Sequence, residues 1–148
     1  MTARTLTADE AEAYGRHVVQ GRDLGFCQLG CGRPGQEWAH RLSRSRGGTW
    51  APVNGLWLCS RHHVLTHREH DLSRACGWMV ETGTHPSQVP ALITTQVGPG
   101  WWWLDELDPT TGRPTGLFRL AEPEEIPPGM WSGTLAEALT QLHGRAVA

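Results

Sequence analysis

Three of the four cysteines lie near histidines in a pattern that suits a metal ion. Cys27 and Cys31 form one short pair, Cys59 and His62 another, and a longer segment parts them. Each pair can grip one edge of a zinc tetrahedron. Four protein ligands leave no place for water, so the expected zinc site is structural. The neighbouring His63 leaves the identity of the fourth ligand open. Three free cysteines, buried or reactive, are the alternative to a zinc knuckle. Cys76 stands apart and reads as a core thiol.

A second constellation suits phosphodiester hydrolysis. That reaction needs a base to activate water and a cation to stabilise charge on the phosphate and the leaving oxygen. His40 can be the base. His63 and His67, one turn apart on an expected helix, share a face and can grip one divalent ion. Asn54 can fix the intervening loop so that His40 points correctly. The ordered set is more specific than any member of it. Arg41, Arg44 and Arg46 follow His40 directly. Arg44 and Arg46 alternate with serines, so in an extended segment both face one groove, where guanidinium groups can bind DNA phosphates through paired hydrogen bonds.

The elements that must position these residues are short. Leu6, Ala11, Tyr14 and Val18 mark an amino-terminal helix over residues 5–20, opened by Thr7 and Glu10 in capping-box spacing and stopped at Gly21. Strands are expected over residues 37–42 and 55–59, with a Gly/Pro-rich loop between them. Residues 60–76 contain no Gly or Pro, and Gly77 follows, which predicts one helix of roughly four turns. Further strands are expected at 78–80, 91–97, 101–104 and 116–120. Leu135, Ala138, Leu139 and Leu142 form the apolar stripe of a terminal helix. Trp101, Trp102 and Trp103 fit strand packing or a stacking platform for bases. The expected fold class is α+β, with a helix in residues 1–22, a small core in 23–84 and a β-rich extension in 85–148 that ends in a helix.

The stretch from His40 through Gly48, followed by Pro52-Val-Asn54 and Leu58-Cys59-Ser-Arg-His62-His63, resembles the HNH endonuclease family. The resemblance implies a ββα-metal core with structural zinc. It implies a nuclease that hydrolyses DNA, by nicking or double-strand cleavage, with Mg²⁺ or another divalent cation. By the family pattern His40 is the general base, Asn54 the middle residue and His63 the metal ligand that opens the helix. His67 matches the further helical ligand of nucleases such as the colicin DNases. Cys27, Cys31, Cys59 and His62 occupy the places of the zinc-binding cysteines, with His62 replacing a fourth Cys. The run from His63 to Val80 is similar to HNH proteins of bacteriophages and prophages. Residues beyond about 85 are not covered. One departure matters: the residue before the base is often Asp or His and binds the catalytic ion, whereas here it is Ala39. His70, one turn past His67, is a candidate replacement. Ala39 also opens a second reading, an inactive zinc-stabilised module that docks on DNA or on a DNA-processing protein such as a phage packaging terminase.

The net charge of −2 hides an asymmetry, because residues 27–80 hold seven arginines against three acids. A basic patch on an acidic chain suits a polyanion. No apolar run approaches the ~20 residues of a membrane span. The first residues lack the apolar stretch of a signal peptide. The expectation is a cytoplasmic protein that meets DNA and no membrane.

Overall fold

The computed structural model describes residues 4–104, 110–111 and 118–147. Helix α1 (Ala8–Gly21) starts where Thr7 Oγ1 accepts from the Glu10 amide and the Glu10 carboxylate accepts from the Thr7 amide. The two bonds satisfy amides that have no partner inside the helix. Gly15 and Val19 form its buried face. A side chain at Gly15 would place its Cβ 2.1 Å from the Trp50 carbonyl oxygen, so only glycine lets α1 lie this close to the following ribbon.

That ribbon is β1 (Glu37–His40) paired antiparallel with β2 (Gly55–Leu58), in the register Glu37↔Leu58 to His40↔Gly55. Strand side chains alternate between faces. Trp38 therefore turns toward Val19, Trp57 and Trp50, while Ala39 joins the main core.

Helix α2 (Ser60–Arg68) follows at once, with Cys59 in the N-cap position but making no side-chain capping bond. The single helix expected over 60–76 is instead two. The backbone leaves helical geometry at Glu69 (φ −100°, ψ 72°), and α3 (His70–Ala75) begins beyond it. The Ser73 hydroxyl donates to the Thr66 carbonyl at 2.6 Å and covers one of the carbonyls that the break exposes. Leu65 before the bend and Leu72 and Cys76 after it belong to the same core cluster. The strand expected at 78–80 is absent as well. There the Trp78 and Met79 amides close the end of α3 on the Ser73 carbonyl, and the Val80 amide binds the Arg41 carbonyl, so no ladder forms.

The rest is a three-stranded antiparallel meander, β3 (Ala91–Thr95), β4 (Gly98–Leu104) and β5 (Phe118–Leu120), followed by α4 (Leu135–Val147). Of the strand expected over 116–120, residues 116 and 117 lie outside the described residues. Trp102 is buried edge-on against Phe118, and Trp103 donates to Glu125, so these two rings serve strand packing. One apolar cluster joins Cys27, Leu29, Leu56, Leu58, Leu72 and Cys76 to Ile93, Trp102, Leu135, Ala138 and Leu142. The core thus runs across the boundary drawn at residues 84/85 from sequence. Among the described residues no helix is long and apolar enough to cross a membrane.

A cysteine–histidine cluster and a histidine cleft

The turn that carries Cys27 and Cys31 and the junction of β2 with α2 bring four ligand atoms together. Those of Cys27, Cys31, Cys59 and His62 all lie within 4.8 Å of one another. His62 Nδ1 is 3.5 Å from Cys27 Sγ and 3.4 Å from Cys59 Sγ, and the Cys31 and Cys59 sulfurs are 4.0 Å apart. Zinc bonds of ~2.3 Å to sulfur and ~2.0–2.1 Å to nitrogen give tetrahedral edges of about 3.8 Å for S···S and about 3.5 Å for S···N. These three separations are close to the edges of a zinc tetrahedron, and the other pairs lie within 4.8 Å, so the cluster can hold such an ion. It also separates the two adjacent histidines: His62 turns inward to the sulfurs and His63 outward. Burial pushes the Cys27 thiol up to about 12, so in the metal-free chain the proton stays on that sulfur, and binding an ion must release it. His62 Nε2, on the other side of the ring, lies 2.8 Å from Nε2 of His143 on α4.

The second group surrounds a cleft of about 210 Å³ lined by His40, Arg46, His67, His70 and Arg74 among others. His40 ends β1, and the loop that follows is clamped by Asn54. Asn54 Oδ1 accepts from the Leu42 amide at 2.7 Å, and its Nδ2 donates to the Leu42 and Thr49 carbonyls at 3.0 Å. Both ends of the loop are thereby fixed to one buried side chain. Trp50, at the end of that loop, packs edge-on to the His40 ring with centroids 4.5 Å apart. Of the two His40 ring nitrogens, Nε2 is enclosed and without a partner among the described residues. That leaves Nδ1 to meet water. Burial, then Arg44, His63, His67 and Arg16, push the His40 pKa down to about 4. The ring is neutral at pH 7.

His63 and His67 sit on one face of α2, with ring centroids 4.7 Å apart. Sequence reasoning passed over Glu37, whose Oε2 lies 2.6 Å from His63 Nδ1 and whose Oε1 accepts from Ser60. The His63 and Ser60 hydrogen bonds hold the Glu37 carboxyl below its ordinary range. An ionised carboxylate on Nδ1 keeps the proton there and leaves His63 Nε2 as a lone pair. Partial burial, then His63 and His70, lowers the pKa of His67, which favours the neutral, ligating form of that ring. Among the described residues no second group of three or more Cys, His, Asp or Glu converges as the knuckle does. Ala39 is buried and contributes no donor.

The arginines separate. Arg41, expected on the DNA-facing surface, is 1% exposed. Its five N–H groups donate to the carbonyls of Gly77, Val53, Pro86, Val89 and Pro90 at 2.6–3.4 Å. It has no donor left for phosphate, and it leaves the set of candidate DNA contacts. It serves the site from beneath instead, together with Arg22, which donates to the Pro52 and Gly55 carbonyls on either side of Asn54. Residues 44–46 form a 3₁₀ turn, not the extended segment expected. Arg44 consequently lies against Trp50 while Arg46 lines the cleft. Arg74 of α3 lines it too, and Arg16 of α1 stacks on Trp50.

Comparison with protein-family models, with curated proteins and with solved structures returned no match.

Proposed function

We propose that the chain is a metal-dependent endonuclease of HNH type that hydrolyses phosphodiester bonds of DNA. The observation that carries this reading is the clamp of Asn54 on both ends of the loop that follows His40, which holds a neutral imidazole at a cleft shared with His67, Arg46 and Arg74. His40 accepts a proton from water through Nδ1. Its depressed pKa reflects cationic and apolar neighbours, and a phosphodiester brings a negative charge among them, which raises the basicity of the ring when substrate is present. Trp50 and the buried Arg22 and Arg41 keep the wall behind His40 rigid. Arg46 and Arg74 supply positive charge for the phosphate.

A divalent ion would be held by His63 through Nε2, with Glu37 fixing its proton on Nδ1, and by His67 one turn on. Such an ion, when bound, supplies stabilisation of charge on the phosphate and the leaving oxygen. The knuckle of Cys27, Cys31, Cys59 and His62 holds structural zinc in this account. It takes no part in the chemistry, because its four protein donors close the coordination shell.

Ala39 favours a second reading, a zinc-stabilised module that binds DNA or a DNA-processing partner without cutting. Incubating supercoiled plasmid with the folded, zinc-loaded protein and Mg²⁺, Mn²⁺ or Ni²⁺ separates the two. Metal-dependent conversion to open-circular or linear DNA supports the enzyme. Retardation of the plasmid with no cleavage in any of the three metals supports the module.

A further inference from the structure

We infer that His143 is the outer-shell partner of the knuckle ligand His62, and that bound metal latches the carboxy-terminal helix α4 onto the knuckle. The inference rests on reading the cysteine–histidine cluster as a metal site. His62 presents Nδ1 to the sulfurs of Cys27 and Cys59, so Nδ1 is the nitrogen that would hold an ion. A neutral imidazole has one N–H, and with Nδ1 given to the ion that proton sits on Nε2. Nε2 faces His143 Nε2 at 2.8 Å, and the two rings meet edge to edge, with centroids 5.1 Å apart and planes within 6° of each other.

Two like nitrogens at that distance make a hydrogen bond only if a single proton lies between them. Two neutral imidazoles have four tautomer combinations, and two of these leave lone pair against lone pair or N–H against N–H. Metal on His62 Nδ1 removes the choice at His62. His62 then donates, His143 accepts, and the proton of His143 moves to its own Nδ1. Orienting a ligand imidazole through its second nitrogen is a general way of tuning metal sites. Here the orienting group comes from a distant part of the chain.

The rest of α4 makes the coupling mechanical. Leu135, Ala138 and Leu142 are buried in the same cluster as Cys27, Leu58 and Cys59. His143 therefore adds one directional bond at the knuckle to a non-directional apolar face. Arg33 and Arg61 line the small cavity beside His143 together with Cys31 and Cys59. Three thiolates and one imidazole around a divalent ion carry a net negative charge, which these cations oppose.

The test is competition for zinc between a chromophoric chelator and the full chain, comparing the parent with His143→Phe, His143→Gln and His143→Ala. Phe keeps an aromatic ring but offers no acceptor, whereas Gln offers a carbonyl acceptor without the ring. Loss of an outer-shell partner costs about 10–100-fold in metal affinity. Phe and Ala should fall by that amount, and Gln should recover most of it. Amide hydrogen exchange supplies a second readout: chelation should speed exchange across 135–147 in the parent, and zinc should protect that helix less in the Phe variant. A Phe variant that binds zinc as tightly as the parent would overturn the inference and leave the knuckle standing. A parent chain that holds no zinc would remove the metal site itself, and the latch with it.

Discussion

The Glu37 carboxylate meets His63 Nδ1 at 2.6 Å across the junction of strand β1 and helix α2. The bond fixes which nitrogen of His63 is available to an ion. Ala39 contributes no ligand, and among the described residues no third ligand converges on His63 and His67 as in the knuckle, so the orientation of each ring carries more weight. Glu37→Ala should weaken binding of Mn²⁺ by about 10–100-fold, the usual cost of losing an outer-shell carboxylate. Calorimetric titration of the zinc-loaded protein checks this. An unchanged affinity would show that Glu37 is only a surface partner of His63.

Arg41 and Arg46 should behave as opposites although both follow His40 closely. Arg41→Lys leaves three donors where five carbonyls are now served, and a buried unsatisfied carbonyl costs about 1–3 kcal/mol. Chemical denaturation should show a loss of about 3 kcal/mol or more for this variant. Arg44→Ala with Arg46→Ala should leave stability nearly intact. The same pair of changes should lower the slope of log affinity for DNA against log salt by about one for each phosphate no longer neutralised. Fluorescence anisotropy at several salt concentrations measures that slope. If the double variant keeps the parent slope, the phosphate-binding surface lies elsewhere.

His40 also makes stability depend on pH. Its pKa is lowered from 6.5 to about 4 in the folded chain. Below 6.5 the unfolded chain binds a proton that the folded chain refuses, so stability falls as the pH drops from 6.5 toward 4. His40→Gln cannot take that proton and should flatten this part of the curve. His62 carries a similar depression in the metal-free chain, so the informative quantity is the difference between parent and variant with zinc bound. Parallel curves would mean that the cleft leaves the His40 ring with its ordinary proton affinity.

The parts of the molecule that were legible in sequence are those whose partners lie nearby along the chain or whose type is rare. Thr7 and Glu10 announce the start of α1 because a capping box is local. Cys27, Cys31, Cys59 and His62 could be grouped because thiolates and imidazoles in short pairs have few other uses. Glu37 was passed over because its partner is 26 residues away and a lone acid in a strand has no pattern. Arg41 read as a surface arginine because its five carbonyl partners come from turns as far off as Pro90, and nothing local foretells that they converge. The break at Glu69 has no Gly or Pro to mark it, so the residue types of 60–76 read as one helix. His143 could be placed on a helix by its neighbours, but its partner His62 lies 81 residues away.

The central claim is that His40 is the base and that His63 and His67 hold the ion, and one metal titration of plasmid cleavage tests it. Removal of a general base typically lowers the rate by about a hundred- to ten-thousand-fold. His40→Ala should therefore stay inactive at every Mg²⁺ or Mn²⁺ concentration while still binding DNA. His67→Ala should be inactive at low metal and recover part of its activity as metal is raised, because only affinity for the ion is impaired. Recovery of the His40 variant with metal, or a His67 variant as active as the parent at low metal, would contradict the account.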